Sequence, residues 1–310
     1  MTGLALVVVA VVLQAAGNGL LSENLSGTES LLLSFLAFGI ATVVFLGVDR
    51  WRTRDAAAGA GGRRLPPGAG RALVLLNVAT AVTFLSFFWS LSLIPAPLAV
   101  AVEASIGPLI LTGVRWRTLA GAQRTGQLLL GGVTVALAVA AANRIIVDST
   151  TAVSTQLFGV AVAAVAGASA AGIAVLSYRL GELRVSPARV TAHRFHLTYA
   201  AAAVLLAVTS GWSTVDALGG RAGFLLLVAT LGTALPLFIL QAGLQTTPPM
   251  KASMVVSALP GLTYLAASAA GRQGFDAVTF VLIGGSIVLA FAGPALISVL
   301  ERRTAAEVSA

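Results

Sequence analysis

The sequence predicts an all-α membrane protein of ten transmembrane helices, built as two inverted five-helix repeats, and three observations lead there. The composition is too apolar for a soluble globule: 57% of the 310 residues are hydrophobic and 10% are charged, with a mean hydropathy of +0.95. A soluble domain carries about 25% charged residues. Apolar runs long enough to cross a bilayer recur along the chain. Matching prolines, serines and glycines recur at one fixed spacing, with Pro97 and Pro249, Ser105 and Ser257, Pro108 and Pro260, and Gly132 and Gly284 each 152 residues apart.

The spans are expected near 3–21, 31–48, 72–93, 97–114 and 125–142, then 156–177, 191–210, 222–244, 250–270 and 275–298. The first has no basic segment ahead of it and outruns the apolar core of a signal peptide, so Met1 to Gly19 reads as a retained helix. Between the second and third spans, Asp49 to Arg71 is rich in glycine and arginine, contains Pro66 and Pro67, and reads as a flexible loop with no soluble domain of its own. Pro95 and Pro97 separate the third span from the fourth, and Pro248 and Pro249 the eighth from the ninth, each in a very short turn.

Basic residues orient the spans. With ten spans and the N-terminus inside, sixteen of the nineteen basic residues fall at cytoplasmic ends, and only Arg144, Arg221 and Arg272 face out. Both termini are then cytoplasmic. The net charge of +8 is explained by this retention of arginine, so nucleic acid is not an expected partner; the lipid bilayer is. Eighteen arginines to one lysine, among helices of alanine, glycine and valine, fit a GC-rich bacterial genome and hence a bacterial cytoplasmic (inner) membrane. The repeat divides the chain into 1–149 and 150–310. Five spans per half, an odd number, put the second half upside down relative to the first, the plan of many secondary transporters. Chance matches among alanine-rich helices are the bland alternative, and the two spaced prolines weigh against them.

Glu103 is the acidic residue that falls inside a span, about seven residues from the outer end of the fourth, ~10 Å deep at 1.5 Å per residue. A carboxylate at a helix centre costs about 2.5–3.5 kcal/mol on insertion scales, so it should face the bundle interior or water. Its functional reading is a partner for a substrate amine or a proton-coupling group; its structural reading is a carboxyl bonded to neighbouring helices. Gln14 and Asn18 share a face of helix one, and Ser253 and Ser257 a face of helix nine, with Tyr264 two turns on. Asn77, Thr80 and Phe84 form a similar stripe on helix three. These side chains can line a cavity or simply bond helix to helix. Pro108, Pro236 and Pro260 lie inside spans, free carbonyls one turn earlier, and read as hinges or static kinks.

Other chemistry finds little support. There is no cysteine, and His193 and His196 lack a third ligand, so no metal centre and no cofactor are expected. The two histidines read as interfacial groups or a pH sensor. Asn24-Leu25-Ser26 matches a glycosylation sequon by chance. No Gly-rich loop ends in Gly-Lys-Ser/Thr, so the chain is not its own ATP-driven motor.

The stretch from Ile94 to Pro108, Ile-Pro-Ala-Pro-Leu-Ala-Val-Ala-Val-Glu-Ala-Ser-Ile-Gly-Pro, resembles the fourth helix of the bacterial drug/metabolite transporter superfamily, of the EamA type. Its nearest likeness is the threonine/homoserine exporter branch, which carries a stretch similar to Thr233-Ala234-Leu235-Pro236 in its eighth helix. The resemblance runs from Gln14 to the Gly284-Gly285 pair. It implies ten helices, export of a small metabolite, and a cavity walled by helices one, three and four with their counterparts six, eight and nine. Two departures stand out: Leu259 precedes Pro260 where many relatives have glutamate, and the second helix has Ser34 and Phe35 where many have arginine. The second half keeps an Arg194-Phe195 pair.

The functional expectation is secondary export of a small polar metabolite, an amino acid or related amine, by alternating access and with no catalysis. Protons are a candidate coupling partner. Efflux of a hydrophobic drug or specialised metabolite is the alternative within transport. An intramembrane enzyme or sensor is the alternative from another class, and it lacks the convergent polar groups that chemistry needs.

Overall fold

The computed structural model describes residues 2–21, 27–57, 65–145, 152–209, 222–271, 274 and 276–309. All regular structure among them is helical. In chain order the helices are α1 (Gly3–Leu21), α2 (Gly27–Ala57), α3 (Ala69–Leu91), α4 (Ala96–Ser105), α5 (Gly107–Val114), α6 (Gly121–Ile145), α7 (Val153–Glu182), α8 (Pro187–His193) and α9 (His196–Thr209). Then follow α10 (Ala222–Leu227), a π-helical stretch (Val228–Ala234), α11 (Leu235–Leu244), α12 (Pro249–Val256), α13 (Leu259–Ala269) and α14 (Ala277–Ser309).

Among the described residues, seven stretches are long and apolar enough to cross a membrane: Leu32–Trp51, Ala69–Leu91, Ala96–Val114, Gly121–Arg144, Val153–Glu182, Pro249–Ala269 and Ala277–Arg303. Gly3–Gly19 and Ala229–Leu244 are shorter apolar helices. Large apolar side chains cover much of the exterior. Val43, Val208, Val281 and Val288 stand 67–79% exposed, a pattern that water penalises and lipid does not. The chain is a multi-pass, all-helical membrane protein.

Proline placement explains where the helices break. Pro108 and Pro260 each lie in the first turn of a new segment, after interruptions at Ile106 and at Ser257–Ala258. A proline tolerates the first turn because no N–H is needed there. Pro236 also opens a helix, and the backbone relaxes into the π-helical stretch immediately before it. The expected hinges are therefore segment starts, while Pro294 sits inside the continuous α14. Other boundaries differ from expectation by length. Helix α2 continues to Ala57, well into the stretch expected as loop from Asp49, and α14 continues to Ser309. Charged residues such as Arg50, Arg52 and Arg54 extend a helix beyond its apolar part without any change in hydropathy to mark its end. The expected boundary between halves at 149 and 150 lies outside the described residues.

The packing pattern is paired. Helix α1 lies against α11, α12 and α13, while α7 lies against α3, α4 and α5. Helix α2 packs on α8 and α9, α6 on α14, and α12 on α5. The largest apolar cluster draws Val7 and Val11 from α1, Leu76 from α3, Ala104 from α4, Ala174 from α7, Leu244 from α11, and Val255 and Leu259 from α12 and α13.

Candidate functional site

Glu103 sits on α4, three residues before the interruption at Ile106. Neighbouring Val102 and Ala104 are buried, whereas Glu103 keeps partial exposure inside a membrane-spanning helix. It has no hydrogen bond and no ion pair among the described residues. Of the two sequence readings, the structural one would need a partner, and none is present among those residues. Its backbone is held instead: a Cβ on Gly167 of α7 would lie 2.5 Å from the Glu103 carbonyl oxygen, so only glycine lets the two helices meet there.

The second interrupted helix meets the first. The Ser253 side chain of α12 occupies the space a Cβ would need on Gly107, at the start of α5. Ser257 is buried, and its hydroxyl donates to the Met254 carbonyl at 2.6 Å. At the position 152 residues earlier, the buried Ser105 hydroxyl donates to the Ala101 carbonyl. Both serines thus satisfy carbonyls in the turn just before the break, a local role.

The remaining candidates separate. Gln14 is partly buried and Asn18 is exposed on α1. Tyr264, buried on α13, donates its hydroxyl to the Gly274 carbonyl at 2.8 Å. The buried Thr80 donates to the Leu76 carbonyl at 2.7 Å, and Phe84 meets Phe38 edge-to-face with ring centroids 4.5 Å apart. Asn77 is committed elsewhere. Its amide nitrogen donates to the His193 carbonyl at 2.8 Å, and its amide oxygen accepts from the Leu197 N–H at 3.0 Å. It thereby bridges the gap between α8 and α9, supplying both groups that a continuous helix would have supplied itself.

That gap carries polar residues not among the expected site residues. Arg194 is 3% exposed, and its Nη1 donates to the Gln241 side-chain oxygen at 2.6 Å. The Ser177 hydroxyl donates to the same oxygen at 3.2 Å. Beside it, His193 and His196 stand ring to ring, and His196 Nδ1 lies 3.1 Å from the Tyr199 hydroxyl. Arg189 pairs with Asp49 at 3.8 Å. An arginine and a glutamine inside otherwise apolar stretches were the signals available in the sequence, but their partners lie 47 and 64 positions apart.

Among the described residues no group of three or more metal-ligating side chains occurs. No protein-family model matches the sequence, and no curated protein matches it. A crystal structure described only as that of a protein is similar in fold, with a TM-score of 0.68 and 19% identity, covering 97% of this chain and 98% of its own. At that identity the likeness speaks for the fold alone.

Proposed function

We propose that the protein is a secondary transporter of ten spans in two inverted five-helix repeats, which exports a small polar metabolite by alternating access. The observation that carries the reading is the pair of interrupted helices. Their breaks fall at Ile106 and at Ser257–Ala258, with Ile106 and Ala258 152 positions apart like the sequence matches, and the two helices touch through Gly107 and Ser253. Discontinuous helices at the interface of two repeats are where such transporters place their substrate.

The packing supports the same symmetry. Counting α4 with α5, α8 with α9, α10 with α11, and α12 with α13 as single spans gives ten. Exchange of the two halves then turns each major contact into another observed one: α1 on α11 and α13 becomes α7 on α3 and α4, while α2 on α9 and α6 on α14 map onto themselves. The six helices expected to wall the cavity all contribute to the largest apolar cluster, which Val190 of α8 also joins. Glu103, unpaired beside one break, is the group assigned to a substrate amine or a proton, and an amino acid or related amine is the substrate class it suits. The basic residues support both termini on the cytoplasmic side, and the GC-rich composition supports a bacterial cytoplasmic membrane.

The test is flux. Proteoliposomes of the purified chain, loaded with unlabelled amino acids, should accumulate external label from a mixed radiolabelled amino-acid pool. No accumulation above empty liposomes, with or without a proton gradient, would overturn the substrate class. Chemical alteration of the pool without movement would point to an enzyme instead.

A further inference from the structure

We propose that the Arg194–Gln241 cluster is a binding point for a carboxylate, and it deepens the transport reading by giving the substrate an acidic end. Three observations converge. First, Arg194 is buried, and none of the ion pairs among the described residues, Arg189–Asp49, Arg144–Asp276 and Lys251–Glu301, includes it. A buried charge without a counter-charge is among the costliest arrangements in a fold.

Second, the groups left unsatisfied are all donors. Arg194 Nε and Gln241 Nε2 are buried without a hydrogen-bond partner, while the Gln241 oxygen already accepts from both Arg194 and Ser177. A site short only of acceptors calls for an anion. Buried Gln127, by contrast, leaves both its oxygen and its nitrogen unpaired, which favours no sign of charge. Third, the guanidinium is preset. Gln241 holds Nη1, and the Phe195 ring lies 4.8 Å from the guanidinium carbon. These fix the plane and leave the Nε edge, the edge that pairs a carboxylate through two parallel bonds. One guanidinium matches one negative charge, so a monoanionic carboxylate suits the site better than a phosphate dianion.

The cluster is closed in this conformation, so the anion enters as the surrounding helices part. The experiment uses the full chain in detergent and follows its thermal midpoint against propionate, propionamide and inorganic phosphate, with sodium chloride balancing ionic strength. Propionate should raise the midpoint saturably, and propionamide, its neutral isostere, should not. Arg194→Gln should weaken the propionate response at least tenfold and Arg194→Lys less. Gln241→Leu serves as a second variant if Arg194→Gln does not fold, with the same tenfold loss expected. An equal response to propionamide, a stronger one to phosphate, or unchanged responses in the variants would overturn the assignment, as would no response at all. Flux in proteoliposomes without a propionate response would sink this inference alone. A propionate response without flux would leave it standing and sink the transport reading.

Discussion

The two interrupted helices, α4–α5 and α12–α13, share a backbone plan but not a chemistry. Each has at its break a serine that bonds back to its own turn, and each restarts with a proline in its first turn. Two residues before the serine, however, the first helix carries the unpaired Glu103 and the second the buried Val255, 1% exposed in the apolar cluster. The break is a matter of backbone geometry and recurs in both helices. The ionisable group belongs to one of them. On the proposed transport reading, the interruptions then serve the conformational cycle, while Glu103 serves the cargo or the proton.

The largest effect expected from this asymmetry is on flux. Glu103→Gln should lower transport at least about tenfold, the loss equivalent to a charge-assisted hydrogen bond of about 1.5–3 kcal/mol, with the chain still folded and inserted. Val255→Ala should instead leave transport near wild type and cost stability, about 1–3 kcal/mol for a buried aliphatic side chain. Measuring both variants for flux and for thermal unfolding separates the roles. A Glu103→Gln protein with wild-type flux would reduce Glu103 to a structural carboxyl.

The shared part of the plan can be broken as well. Pro108→Ala and Pro260→Ala restore a backbone donor in each restarting segment and favour straightening across the break. If each break shapes one facing state, the two variants should shift the resting population in opposite directions, read as accessibility of a Ser257→Cys thiol to an impermeant reagent. Unchanged accessibility and flux in both would make the prolines static features.

A third break, between α8 and α9, has no match 152 positions earlier, where α2 is continuous around Thr42. It contains no proline and is bridged by Asn77. Asn77→Ala should strand the His193 carbonyl and the Leu197 N–H, at a cost of about 1–3 kcal/mol, visible as a lowered thermal midpoint. A neutral result would mean that water or neighbouring groups replace the amide.

The smallest effect concerns the outer surface. Asp276, just before α14, is held down to about 2 from 3.8, first by the Thr279 hydroxyl, then by Arg144 and the Thr279 N–H. A depressed carboxyl contributes stability that is present above its ordinary value and fades as pH falls toward the depressed one. Asp276→Asn should therefore lower the midpoint slightly at pH 7 and converge with wild type as pH falls from about 4 toward 2. Because the group is exposed, the shift should shrink in high salt.

How much was legible in the sequence follows from the range of each interaction. Hydropathy located the apolar stretches, and Pro108, Pro236 and Pro260 marked the places where helices restart, because proline acts on its own turn. The extension of α2 to Ala57 was not legible, since charged residues continue a helix without changing its period. Asn77 looked like one of a cavity-lining stripe, yet its partners lie 116 and 120 residues away. Arg194 was noticed as half of an Arg-Phe pair, but its lack of an acid and its bond to Gln241 exist only in three dimensions.

The inverted relation of the two halves is the claim on which the rest depends, and equivalent single cysteines test it directly. Thr118 lies in the turn after α5 and Ala270 in the turn after α13; both are exposed and 152 positions apart, and the chain has no cysteine of its own. In intact cells, an impermeant maleimide should label Ala270→Cys and reach Thr118→Cys only after the membrane is permeabilised. Labelling of both from the same side would show the halves to be parallel and would contradict the account.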